Sequence, residues 1–236
     1  MSLFSKLAGA AVAAFIATSA SAAVLTVDTI TSAWQNTVGG GGTVNTTNGD
    51  PTSSLRWGTG GSQSGYDFTR NAVPLNMSEG AAVSLGMFNH LNFPIDAGTA
   101  ITATELALSF TIAPGTTVNT VFGFTHNETT NYPGSGVCVE GGSTPCPDLV
   151  TVALNLGASD VFDIGGVTYI FNVLGFSTDG GQTIKTSFLT NEDAQNPAEL
   201  YATFQTRASI PLPAAGWLLI AGLGGLAAAG RRKKSA

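Results

Sequence analysis

Ile101-Thr-Ala-Thr-Glu-Leu-Ala-Leu-Ser-Phe-Thr-Ile112 reads as a β-strand from end to end. Leu106, Leu108, Phe110 and Ile112 fall on one side of a two-residue repeat, with Ala103, Glu105, Ala107, Ser109 and Thr111 on the other. Successive side chains of an extended chain point to opposite faces, so this pattern buries one face of a sheet and wets the other. Ala113-Pro114-Gly115 then supplies a turn. The alternation recurs in Leu149–Leu156, through Val150, Val152, Leu154 and Leu156. Val167–Phe176 is apolar on both faces, as a central strand would be. Further short strands are expected at Val24–Ala33, Ser53–Trp57, Ser64–Thr69, Ala81–Phe88, Val118–Thr125, Ile184–Leu189 and Glu199–Thr206. Asn48-Gly49-Asp50, Asp179-Gly180-Gly181 and Asn196-Pro197 separate some of them, and Gly39–Asn48 reads as a flexible surface loop. Helical spacing is confined to the two ends of the chain. The expectation is an all-β domain over residues 23–209, an antiparallel β-sandwich of jelly-roll-like form.

The ends carry their own signals. Residues 1–22 combine Lys6, an apolar stretch from Leu7 to Ile16 and an Ala20-x-Ala22 site. That is the pattern of a secretory signal peptide: a signal helix that signal peptidase would remove after Ala22 or Ala23. Residues 210–236 begin with Ile210-Pro211-Leu212-Pro213-Ala214, run apolar to Gly230, and end in Arg231, Arg232, Lys233 and Lys234. A helix over the 17 residues Ala214–Gly230 would be about 26 Å long, at the short limit for a transmembrane helix. The basic cluster would hold its end on the cytoplasmic side. Pro211 and Pro213 keep the preceding segment extended, the form in which a protease binds it.

This three-part tail resembles a PEP-CTERM sorting signal of the VPLPA type, with Ile210 in place of Val. The resemblance implies an exosortase-type membrane protease as partner, inner-membrane anchoring before processing, and release to the cell surface or outside. An anchor that is never cleaved is the other reading of the same residues.

Processing at both ends changes the charge. The whole chain is −6, but Lys6 and the four tail cations would leave. Arg56, Arg70, Lys185 and Arg207 then face 15 carboxylates, a net charge of about −11. Such a surface disfavours nucleic acid and anionic lipid as partners, and suits solubility, a hydrated exopolysaccharide or divalent cations. Seven residues separate Cys138 from Cys146, and in a chain expected to be exported a disulfide between them is expected. No spacing of Cys and His suggests a metal site.

Trp34, Leu55-Arg56-Trp57-Gly58, Ser64–Phe68 and Leu85–Ile95 occur in an order that resembles the THxN family of PEP-CTERM proteins. The naming motif corresponds to Asn89-His90-Leu91-Asn92-Phe93-Pro94-Ile95, with Asn89 where the family has Thr. A second similar stretch, Phe124–Asn131, leads into the cysteine loop and Cys146-Pro147-Asp148. The resemblance implies an exported surface or matrix protein and brings no catalytic residues with it. His90 and Asn92, two apart on a strand, share a face, so they either fix a loop between strands or contact a ligand. His126 and Glu128 have the same spacing and the same two readings.

Chemistry is sparsely signalled. Serine sits in no Gly-x-Ser-x-Gly setting, and H-E-x-x-H is absent. Asp160 with Asp163, or Glu128 with Glu140, are pairs that glycoside cleavage would need, but no spacing rule selects them. Asp160, Asp163 and Asp179 read as lying in turn-rich segments where calcium could bind. Trp34, Trp57 and Tyr66 could stack on sugars if exposed. The expected function is therefore that of a non-enzymatic surface or matrix protein with no resident cofactor. A carbohydrate- or calcium-binding adhesin is the alternative.

Overall fold

The computed structural model describes residues 23–41, 44–153 and 160–207. The segments expected to be a signal peptide and a sorting tail, including Ile210–Ala214 and Arg231–Lys234, lie outside the described residues, as do Leu154 and Leu156 of the strand expected at Leu149–Leu156. No helix among the described residues is long and apolar enough to cross a membrane.

The described chain is all β. Its strands are β1 (Val24–Gly39), β2 (Asn45–Thr47), β3 (Thr52–Trp57), β4 (Ser64–Arg70), β5 (Leu75–Ser78), β6 (Val83–Asn92) and β7 (Ile101–Ile112). There follow β8 (Thr116–Asn127), β9 (Asp148–Val152), β10 (Asp160–Ile164), β11 (Val167–Ser177), β12 (Ser187–Thr190) and β13 (Ala194–Thr206). They form two antiparallel sheets, ordered β12-β9-β8-β7-β1-β5 and β10-β11-β13-β6-β4-β3-β2. One apolar cluster, drawn from both sheets, fills the space between them. Phe88 of β6 stacks on Phe124 of β8 at 5.3 Å, and Phe110 of β7 meets Phe171 of β11 at the same distance. The arrangement is sandwich-like.

The alternation in β7 behaves as read: Leu106, Leu108, Phe110 and Ile112 are buried. In β1 the inward parity changes along the strand. Leu25 and Val27 face the core, then Ile30 and Trp34 do. A register shift against β7 between Val27 and Thr29 accounts for this, since one extra residue in a bulge reverses the faces that follow. β11 alternates more than its composition suggests. Tyr169, Phe171 and Val173 are buried, while Ile170 and Leu174 are half-exposed. Its shift between Val173 and Gly175 then brings Phe176 inward. Gly175 has φ +136°, and a Cβ there would fall 2.2 Å from the Lys185 carbonyl oxygen, so only glycine fits this bulge.

Two expectations change. The Gly39–Asn48 segment is not loop throughout, because Asn45–Thr47 pairs with β3. Asp160 and Asp163 lie on strand β10, paired with Phe171 and Thr168, rather than in a turn.

Candidate functional site

The side chains with most chemical potential are inside the molecule, at one end of the apolar core. β6 carries His90 and Asn92 inward, both fully buried. The register places Tyr66 of β4 directly across from His90. From the other sheet, β8 ends with His126 facing in, Glu128 follows it, and Asp148 opens β9. Thr190, at the end of β12, lies opposite Asp148. Glu192 enters from the short link between β12 and β13 and is only 8% exposed. Trp57 covers the group, 5.8 Å from the His90 ring and nearly parallel to it.

Hydrogen bonds fix the backs of these side chains. His90 Nδ1 lies 2.9 Å from the Thr190 hydroxyl oxygen, and Thr190 Oγ1 donates to the Asp148 carbonyl at 3.2 Å. Asn92 Nδ2 donates to the Thr190 carbonyl at 3.0 Å. His90 and Asn92 thus tie the two sheets together through Thr190, where a sequence reading would place them on a neighbouring loop. His126 Nδ1 is 2.7 Å from the Tyr66 hydroxyl, and the Thr129 amide donates to Asp148 Oδ1 at 2.8 Å. The fronts are less well supplied. His90 Nε2, Asn92 Oδ1, Asn131 Oδ1, Asp148 Oδ2 and both Glu192 carboxylate oxygens are buried without a hydrogen-bond partner. Each such atom costs about 1–3 kcal/mol, and folded proteins leave few of them. Here they converge.

Their electrostatics follow from burial. Loss of water drives the His90 ring well below its ordinary 6.5, and the neighbouring His126 adds to this. His126 is held down to about 4 by burial, against the pull of Asp148. Burial raises the Glu128 carboxyl, and it raises that of Asp148 with a further push from Glu128. Glu192 is pushed up to about 7 by burial and by Glu128. The Asn92 and Asn131 amides lie near enough to offset part of that rise, although neither makes a well-formed hydrogen bond to Glu192. Near neutral pH both rings are uncharged, and among the described residues no lysine or arginine forms an ion pair with these carboxyls. His126 Nε2 stands 3.4 Å from Glu128 Oε2 and 3.8 Å from Asp148 Oδ2. His90, His126 and Asp148 bring one ligand-type atom each within 4.8 Å of one another, as do Glu128, Asp148 and Glu192. An open groove of about 840 Å³ reaches this end of the core past His126, Glu128 and Asn131, with Tyr132 and Asp96 on its walls.

The remaining sequence candidates are placed elsewhere. Asn89 points away from the cluster, within 3.4 Å of Gln195 Oε1, and Pro94 is exposed just beyond β6. Cys138 and Cys146 are disulfide-bonded, with Cα atoms 5.3 Å apart. Asp163 accepts from the Thr168 hydroxyl, and Asp179 accepts from the Ser177 hydroxyl and the Thr183 amide. Glu140 accepts from the Asn127 amide at 2.6 Å, while Glu128 faces His126. Trp34, Trp57 and Tyr66 are buried core residues, so they offer no exposed platform for sugars. Glu192 was not singled out by sequence, and Asp148 entered only as the end of the Cys146-Pro147-Asp148 stretch, with no role of its own. The pairing of β9 with β8 and β12, together with the packing of the two sheets, brings them to the histidines. No protein-family model matches the chain, and a search of curated proteins finds no sequence similar to it.

Proposed function

We propose that the chain is an exported, non-enzymatic protein of the cell surface or extracellular matrix, built on a jelly-roll-like sandwich. The observation that carries this reading is the bonded Cys138–Cys146 pair, which suits an oxidising compartment outside the cytoplasm. The signal-peptide pattern of residues 1–22 and the likeness of residues 210–236 to a PEP-CTERM sorting tail point the same way. In this reading signal peptidase removes the first segment, and an exosortase-type protease acts at Ile210–Ala214. The carboxylate-rich surface then meets a hydrated exopolysaccharide. The long-range pairings β1–β7 and β6–β13 support the jelly-roll-like description, while the consecutive runs β2-β3-β4 and β7-β8-β9 depart from it.

Fractionation of the producing cells, followed by intact mass of the recovered protein, tests the route. The expected product is extracellular or surface-bound, begins at Ala23 or Val24, and lacks Trp217–Gly230. Full-length protein confined to the cytosol would end the proposal. Retention of the recovered protein on the same cells' exopolysaccharide tests its destination. Saturable retention is expected, and its absence would remove the matrix from the reading.

A further inference from the structure

We infer that His90, His126, Glu128, Asp148 and Glu192 form a site for one divalent transition-metal ion of the zinc class. This inference is independent of where the chain is delivered.

Unpartnered buried atoms converge on one place. His90 Nε2 and Asp148 Oδ2 belong to side chains with no exposure, and both Glu192 oxygens belong to one nearly as buried. An apolar core gains nothing from such atoms, and a ligand that accepts their lone pairs explains all of them at once. The proton on His90 adds to this. Thr190 has one hydroxyl proton and directs it to the Asp148 carbonyl, so towards His90 it acts as acceptor. His90 therefore carries its hydrogen on Nδ1 and presents a bare Nε2 lone pair to the cluster. That is the tautomer a metal ligand needs, held by a hydrogen bond from behind. The Tyr66 hydroxyl lies behind His126 Nδ1 and the Thr129 amide behind Asp148, while His126 Nε2 faces Glu128 Oε2 at 3.4 Å, a contact that an ion between them would replace.

Size and donor type define the ion. Donors about 2.0–2.2 Å from one ion lie no more than about 4 Å apart. The donors form two triads that share Asp148, His90 with His126 and Glu128 with Glu192. Within each the 4.8 Å spacing closes to that by side-chain movement of under about 1 Å. His126 Nε2 and Glu128 Oε2, 3.4 Å apart, join the two. Two imidazoles among the donors argue against calcium or magnesium, which take oxygen. Thiolate is absent, because both cysteines are in the disulfide. Mixed nitrogen and carboxylate donors suit zinc and its first-row neighbours. Glu128, its side chain 25% exposed on the groove, stands where an ion would enter.

The test uses the protein purified from its own cells, in whichever fraction holds it, without chelator and with metal content measured directly. The protein is then stripped and titrated separately with zinc, cobalt and calcium chlorides. The expected result is one zinc or cobalt equivalent per chain, visible absorption bands from the cobalt form, a raised melting temperature, and no response to calcium at the same concentration. Glu128→Gln and Glu192→Gln keep side-chain shape and should each weaken zinc binding at least tenfold, with the stripped proteins folding like the parent. His90→Gln should abolish the cobalt bands; if it does not fold, the two glutamine variants at the carboxylates decide. Uptake of calcium but not zinc, no uptake of any ion, or unchanged zinc affinity in both carboxylate variants would overturn the inference.

Discussion

Thr190 is where a single hydroxyl governs the buried polar group. It lies 2.9 Å from His90 Nδ1 and donates to the Asp148 carbonyl, so its replacement leaves that ring nitrogen inside the protein with nothing to meet. Thr190→Val keeps the volume and removes only this function. The expected cost is about 1–3 kcal/mol in urea unfolding, the penalty of an unpaired buried donor. Thr190→Ser should recover most of it, and equal stability of the valine and native proteins would show that His90 is held by packing alone. At this scale the sequence was half legible. The pairs His90-x-Asn92 and His126-x-Glu128 are visible as side chains on one face of a strand. That the two faces look at each other, with Asp148 and Glu192 between them, depends on how two sheets pack and leaves no local spacing to read.

At the scale of elements, the strands that pattern reading missed are β2, β5 and β10, and each lies at the edge of its sheet. An edge strand has one partner and little to bury. Asn45–Thr47 is exposed throughout, and Leu75–Ser78 buries only Met77, so no alternation forms. Interior strands, clamped on both sides, kept the pattern and were legible. The link between β8 and β9 is held differently. Its disulfide is reinforced by Thr129 Oγ1 donating to the Cys146 carbonyl at 3.1 Å and the Cys146 amide donating to the Asn131 carbonyl at 2.9 Å. The segment between Glu128 and Asp148 is thus pinned at its base. Replacing both cysteines by serine should cost about 2–3 kcal/mol, from the loop-closure entropy of so short a ring. Urea unfolding of the double variant measures this. A loss near zero would mean that the hydrogen bonds alone define the loop.

Across the whole molecule, the two ends of the described chain meet at one carboxylate. Glu79 Oε2 accepts from the Ala23 amide at 3.3 Å, and Oε1 accepts from the Thr206 amide at 2.9 Å and from the Thr206 hydroxyl. These bonds hold Glu79 below its ordinary value of 4.5, with the Thr206 contacts contributing most. A depressed carboxyl stabilises the fold when ionised. Its contribution is complete above the unfolded value of 4.5 and is lost as the pH falls through the lower folded value. Glu79→Gln should therefore melt earlier than the native protein at pH 7, and the gap should narrow steadily once the pH drops below 4.5. A gap of the same size at pH 3 and pH 7 would show that shape, not charge, is what Glu79 provides. The proposed export would add a further condition. Cleavage after Ala22 would turn the Ala23 amide into an ammonium group beside Glu79, whereas cleavage after Ala23 would remove that partner. On that proposal the substitution should be more damaging in protein that begins at Ala23 than in protein that begins at Val24, and the position of processing would set how firmly the ends are joined.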